Sequence, residues 1–256
     1  MWNRPDVDFI QSQDVPFELV PAGQFGAVAG GRRQLLSRDP SDGAETAIHR
    51  LADRVDGALA DDVDLFVLAG DGTLNGNPLA TGDYVHLPAG AAFEIVPSVR
   101  RLTVYCGFWG TPELTAAARS AAPITHTNPE RDLQWVPAGW SSGSPLEPGA
   151  LSKVLRADDR AFIYLAAMVP GWKSPNEESH PQYEESFKIY GDVLMGRLGV
   201  MQPGSYFFRS PDVFHGPLYS RGGTMSFIRS DAPTTTTYRT PDDAGSWQSL
   251  SARAYA

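Results

Sequence analysis

Cysteine is almost absent from this chain: Cys106 is the only one in 256 residues. A single thiol excludes an intramolecular disulfide and any zinc site built from several thiolates. Cys106 lies in Leu102-Thr103-Val104-Tyr105-Cys106-Gly107-Phe108-Trp109, a run that predicts a buried strand in which the thiol only packs. Basic residues are in deficit as well, with 21 Lys and Arg against 30 Asp and Glu, a formal net charge of -9. Asp56, Asp61, Asp62 and Asp64 cluster in what reads as a solvated face. Such a field repels phosphate backbones and anionic lipid, so neither nucleic acid nor a membrane is the expected partner. No apolar run is long enough to cross a bilayer, and Met1-Trp2-Asn3-Arg4-Pro5-Asp6 lacks the charged and apolar regions of a leader. The expectation is a cytoplasmic protein of bacterial type, monomer or homodimer. A hydrophobic share of 42% with 20% charged residues is ordinary globular composition, with room for one large or two ordinary domains.

Short strands bounded by Gly, Pro and Asn dominate the pattern: 65–68, 83–87, 161–169, 187–190, 205–208 and 225–228. Asn75-Gly76 predicts a tight hairpin turn. Ile48, Leu51, Ala52, Val55 and Leu59 recur at helical spacing, yet their surroundings favour a strand to about Leu51. Thr111-Pro112-Glu113-Leu114 looks like a capped helix start, with the helix ending near Ser120.

The densest chemistry lies in Glu178-Ser179-His180-Pro181-Gln182-Tyr183-Glu184, followed by Gly191, Gly204, Pro211 and His215. Residues 178, 180 and 184 share one parity, so a single strand projects all three side chains from one face. Gly191-Asp192 reads as a hairpin turn, Gly204 opens another, and the strand after it returns His215 toward the same place. Taken alone, His180 and Glu184 also describe a pair on a helix surface, and His215 a loop cap. The ordered set instead predicts a divalent metal held by Glu178, His180, Glu184 and His215, with Glu178 the ligand that rests on parity alone.

The chain also repeats itself. Val63-Asp64-Leu65-Phe66-Val67-Leu68-Ala69-Gly70-Asp71 aligns with Glu184-Glu185-Ser186-Phe187-Lys188-Ile189-Tyr190-Gly191-Asp192. Gly70, Gly82 and Phe93 correspond to Gly191, Gly204 and His215 at nearly constant offsets. Val63 and Phe93 occupy the Glu184 and His215 positions, so the first copy has an apolar lumen without metal. His49, His86 and His126 have no second imidazole and carboxylate beside them and are expected to be structural.

These residues resemble the two motifs of the cupin superfamily. His180, Glu184 and Gly191 take the second histidine, glutamate and glycine of the first motif, and Gly204, Pro211 and His215 follow the second. Glu178 replaces the first histidine, and the spacing from Gly204 to Pro211 is one residue longer than in the family. The resemblance implies an all-β fold of two tandem cupin (jelly-roll) β-barrels, a bicupin, with short helices in the linker. The expected divisions are an N-terminal cupin domain at 1–120, a linker at 121–148, a metal-binding cupin domain at 149–240 and a tail at 241–256. More narrowly, Trp135-Val136-Pro137, residues 149–158 and residues 214–223 are similar to the cupin domain of anti-sigma factors.

The resemblance alone leaves the reaction open, since cupins host many chemistries. Two imidazoles and two carboxylates favour iron(II) or manganese(II), with zinc(II) and nickel(II) also compatible, and leave neighbouring positions for substrate. The first expectation is an oxygenase using dioxygen on a small organic molecule with an enolisable or hydroxylated carbonyl. The alternatives are a lyase, isomerase or hydrolase using the metal as Lewis acid, or a small-ligand or metal sensor without turnover. Counting by twos from Glu184 puts Ser186 and Lys188 in the lumen, where a lysine can donate a proton, form a Schiff base or anchor an anion, unless it snorkels from the barrel end. Lys188 and Glu178 are the expected catalytic groups. Tyr164, Trp172, Tyr183, Tyr206 and Arg229 are candidates for the substrate pocket.

Overall fold

The computed structural model describes residues 3–28, 30–115, 119–138 and 148–242. Among these, strands account for nearly all regular structure, beside one four-residue α-helix at Pro129–Asp132 and one 3-10 turn at Ser12–Asp14. No helix among the described residues is long and apolar enough to cross a membrane.

The chain forms two compact units. The first joins the residues up to Arg4 with Asp14–Asp132, and the second joins Pro5–Gln13 with the chain from Leu133 onward. This departs from simple chain order because Val7–Gln11 pairs antiparallel with Ser205–Arg209 and caps an otherwise open sheet edge. Part of the stretch expected as a linker is also sheet: Thr125–Thr127 pairs with Tyr84–Leu87 in the first unit, and Val136–Pro137 with Ala150–Ala157 in the second. Of the expected tail only its first two residues, 241 and 242, are described.

In the first unit a ten-stranded sheet folds around an apolar core that includes Phe25, Leu59, Val63, Val85, Phe93, Val104, Cys106 and Phe108. The helical spacing around Ile48 and Leu59 resolves into two strands, Glu45–Leu51 and Val55–Leu59. Nearly every residue of the first is buried, polar Glu45, Thr46 and His49 included, so both faces are covered and no period of two is left to read. The helix expected from Thr111 does not form where the chain is described. Leu114–Thr115 pairs instead with Val55–Leu59, and the Thr115 hydroxyl donates to the Ala58 carbonyl at 3.3 Å; residues 116–118 lie outside the described set. Asn75 and Gly76, both at positive φ, close the hairpin between Leu74 and Asn77.

His49 is fully buried in this core, edge-on to Phe25 and Phe108, and neither ring nitrogen has a hydrogen-bond partner. Burial, helped by the charge of Arg33, pulls its pKa from 6.5 to about 3. The folded state therefore holds the neutral ring while the unfolded chain protonates near 6.5. Stability from this site is complete above that pH and declines as pH falls toward 3. At pH 4 the loss amounts to about 3 kcal/mol. Chemical denaturation of wild type and His49→Leu at pH 7 and pH 4 should show that loss only in the wild type. The same pH dependence in both proteins would contradict this account.

The second unit contains a seven-stranded sheet ordered Val7–Gln11, Ser205–Arg209, Glu184–Gly191, Thr224–Ser230, Phe162–Met168, Ala150–Ala157, Val136–Pro137. A smaller sheet of Lys173–Ser174, Leu218–Tyr219, Val193–Met195 and Gly199–Met201 supplies the other wall. Its core joins Phe207 of the large sheet to Val193, Met195, Met201 and Leu218 of the small one, with Trp172 beside them. Gly191 carries the chain from one sheet toward the other rather than turning a hairpin: its φ is +66, and a Cβ would lie 2.0 Å from the Gly223 carbonyl oxygen. Gly70 repeats this in the first unit, at φ +88 and 2.0 Å from the Arg101 carbonyl oxygen, so both copies require glycine for the same reason.

Candidate metal centre

Pro181 determines how the site is built. It has no N–H to give a ladder, and the strand that carries Glu178 ends at Ser179. A second strand begins at Glu184, so the single strand expected from parity is two strands joined by a short loop. Glu178 is instead held against His215 by a two-bond antiparallel bridge, Glu178 N to His215 O at 2.8 Å and His215 N to Glu178 O at 2.9 Å. Both backbones thus deliver their side chains to one point.

Glu178, His180 and His215 are buried, at 9%, 6% and 6% exposed, and Glu184 is partly buried, its side chain 12% exposed. His180 Nδ1 lies 3.0 Å from the Thr235 carbonyl, which can only accept, so that nitrogen carries the proton and Nε2 offers a lone pair. His180 Nε2 lies 3.5 Å from Glu184 Oε2, and His215 Nε2 lies 3.4 Å from Glu178 Oε1 and 3.8 Å from Glu184 Oε2. These separations are long for hydrogen bonds. They suit donors sharing one ion, because bonds of about 2.0–2.2 Å keep any two ligand atoms within about 4.4 Å. Glu178, His180 and His215 offer atoms all within 4.8 Å of one another, and Glu184 approaches both imidazoles. His180 Nε2 and Glu184 Oε2 have no hydrogen-bond partner although buried. An orphaned lone pair facing an orphaned carboxylate oxygen is costly without a cation, so the residues present fit a divalent metal.

The electrostatics agree. Burial pushes the Glu178 carboxyl up, but the contact and charge of His215, with His180 behind it, hold it below its ordinary value. Burial pulls His215 down, and Glu178 and then Glu184 more than reverse this. Tyr164 is held well above 10 by burial and by the nearby Glu184 charge.

Above the donors lies a cavity of about 70 Å³ bounded by both sheets. Tyr164, Trp172, Ser186 and Lys188 line it. Lys188 is 4% exposed, so it does not snorkel to solvent; its Nζ donates to Ser226 Oγ at 2.7 Å. Burial brings its pKa from 10.5 to about 7, against the opposing charges of Asp192 and Glu184. A larger recess of about 330 Å³ touches His215 from the outer side. Its Arg209 is paired with Asp8 and its Arg239 with Glu177.

Tyr206, Arg229 and Tyr183 are not part of the cavity wall, a correction to the sequence-based expectation. Tyr206 and Arg229 sit on the opposite parity from Glu184, with Tyr206 Oη donating to Glu185 Oε2 at 2.7 Å and the Arg229 guanidinium donating to Glu185 Oε1. Tyr183 stacks on Phe208. Met195, Met201, Phe207 and Leu218 line the cavity instead. Only Phe207, paired with Ser186, was open to parity counting, and only once the register was known.

The register also extends the comparison of the two copies. Gly57 pairs with Phe93 in the first unit as Glu178 pairs with His215 in the second. The positions of Glu178, His180, Glu184 and His215 are therefore held by Gly57, Leu59, Val63 and Phe93, none of which can ligate. By contrast, the buried carboxylate–tyrosine pair is kept, with Tyr84 Oη donating to Asp64 Oδ1 at 2.7 Å. His86 and His126 stand beside Asp62 and Asp83, away from these positions.

No protein-family model matches the sequence, and no curated protein matches it. Solved structures do. A Nostoc punctiforme protein provisionally described as a dioxygenase is 20% identical with a TM-score of 0.78, the match covering 91% of this chain and 87% of that one. A Pseudomonas aeruginosa protein provisionally described as glyoxylate-induced is 15% identical with a TM-score of 0.67, covering 92% and 91%. A variant of Bacillus subtilis oxalate decarboxylase is 11% identical with a TM-score of 0.55, covering 94% and 83%. The neighbours are cupin proteins, and this chain shares their β-rich jelly-roll fold.

Proposed function

We propose that this chain is a bicupin enzyme whose second unit holds one divalent metal on Glu178, His180, Glu184 and His215, and that it oxygenates a small organic molecule with an enolisable or hydroxylated carbonyl. The observation that carries the metal is the pair of buried, unpartnered donors, His180 Nε2 and Glu184 Oε2. Iron(II) is the favoured ion, and manganese(II), zinc(II) and nickel(II) are compatible with the same donors. When bound, such an ion supplies Lewis acidity and, if iron, one-electron redox chemistry with dioxygen.

The chain's own residues do the rest. The Thr235 carbonyl orients His180, and the bridge to Glu178 fixes His215. Met195, Met201, Phe207 and Leu218 make the wall apolar and exclude water, which strengthens every charge interaction inside. Glu178 and Lys188 are the charged groups placed to pair with substrate or hold a proton beside it. The dioxygenase description of the Nostoc neighbour supports the oxygenase reading. The oxalate decarboxylase neighbour supports a second one, a lyase acting at the same metal.

The test is oxygen dependence. Iron(II)-loaded protein offered β-dicarbonyl and α-hydroxycarbonyl compounds of up to about six carbons should consume one dioxygen per substrate, stop under anaerobic conditions and be inactive with zinc. Equal turnover without oxygen, or with zinc, would replace the oxygenase by a lyase, isomerase or hydrolase. Tight binding without turnover under any metal would make the protein a sensor.

A further inference from the structure

We infer that the compound taken by this site is a small monoanion whose carboxylate pairs with Lys188 while its neutral carbonyl or hydroxyl group faces the metal. The inference rests on the metal reading above and adds the substrate's charge and orientation.

Lys188 lies on the same strand face as Glu184 and Ser186, four residues along, which separates the Glu184 and Lys188 Cα atoms by roughly 13 Å. The donor cluster and the lysine therefore mark two ends of one lumen. An ammonium has three N–H donors, and among the described residues only the bond to Ser226 Oγ is made. Among the described residues no carboxylate forms an ion pair with it. Ser226 accepts from Lys188 through its oxygen, so its own proton is left to donate. Ammonium and hydroxyl together match the two oxygens of one carboxylate. Between the two ends the wall is mostly apolar, including Met168, Val193, Leu218 and Ile228 with the Ser186 hydroxyl among them, and offers no counter-charge for a second anionic group.

Charge balance gives the same answer. Within the cavity lining a divalent ion would cancel Glu178 and Glu184, the imidazoles are neutral as ligands, and Lys188 is left as one positive charge, which Asp192, outside the lining, offsets by less than burial costs it. A monoanion closes that balance. Burial disfavours the charged form of the Lys188 ammonium, and an anionic partner would restore it. The cavity of about 70 Å³ restricts the compound to a few heavy atoms beyond its metal-facing group.

Calorimetric titration tests this with 3-hydroxybutanoate, 4-oxopentanoate and 5-oxohexanoate, each beside its uncharged methyl ester, using manganese-loaded and metal-free protein. In the loaded wild type at least one acid should bind tenfold to a hundredfold more tightly than its ester, the usual worth of a charged hydrogen bond. Lys188→Met should erase that preference while keeping the wild type's manganese stoichiometry, and Lys188→Arg should retain part of it. Equal affinity for acid and ester in the wild type, or an undiminished acid preference in Lys188→Met, overturns the inference. If Lys188→Met does not fold, Ser226→Ala decides: a weakened acid preference supports the anchor and an unchanged one overturns it. Failure of the wild type to bind manganese would sink the metal reading and with it the orientation of the carbonyl, while the Lys188 anchor is still decided by the acid preference of the metal-free protein.

Discussion

His180→Ala and His215→Ala should each abolish tight metal binding, leaving no metal after dialysis where the wild type keeps one equivalent. Each removes an imidazole whose Nε2 lies within 3.4–3.8 Å of the carboxylate donors, and no neighbouring side chain can take its place. Loss of a residue that only orients a ligand costs about 10–100-fold in affinity, so loss of the ligand itself should exceed 100-fold. Glu178→Gln keeps one carbonyl oxygen but loses the charge; it should weaken binding less than the histidine variants do and shift the visible spectrum of the cobalt-substituted protein. Phe93→Ala should leave metal content unchanged, because it alters only the apolar lumen of the first unit. Metal retained at full stoichiometry by His215→Ala would remove His215 from the ligand set.

The second large effect concerns stability. Glu185 and Arg229 form a fully buried ion pair, each 0% exposed, with Tyr206 completing the carboxylate's partners. Arg229→Met strands the Glu185 charge and should destabilise the protein by about 3–5 kcal/mol, measured by urea unfolding. The triple variant Glu185→Met, Arg229→Met and Tyr206→Phe should recover most of that loss, because it removes the ion pair together with the hydroxyl that donates to Glu185 and leaves apolar side chains of similar volume. A triple variant as unstable as the single would show that the group matters through packing and not through charge.

Much of the candidate site was legible in the sequence because polar residues stand out in a lumen that the fold otherwise fills with apolar ones. Glu178, His180, Glu184 and His215 could be picked out as a group for that reason, and the structure brings them together by a route parity did not foresee. Pro181 breaks the strand, and the bridge between Glu178 and His215 does the work assigned to a single strand face. Parity was also insufficient for Tyr206 and Arg229. Which face an aromatic or arginine occupies depends on register, and both turned out to serve Glu185 on the other side of the sheet. Lys188 was legible in position but not in state, since four methylenes allow either snorkelling or burial, and only the pairing with Ser226 decides between them. Gly57 and Leu59 carried no signal at all as counterparts of Glu178 and His180. Glycine and leucine announce no chemistry, and only the pairing of Gly57 with Phe93 places them there.

The first unit carries apolar side chains at the positions where the second carries the candidate ligands. Leu59, Val63 and Phe93 each gain about 1.5–3 kcal/mol by burial where the second unit holds His180, Glu184 and His215. Elemental analysis of wild-type protein purified without added metal tests this asymmetry most directly. The account predicts one equivalent of divalent metal per chain, and two equivalents, or none, would contradict it.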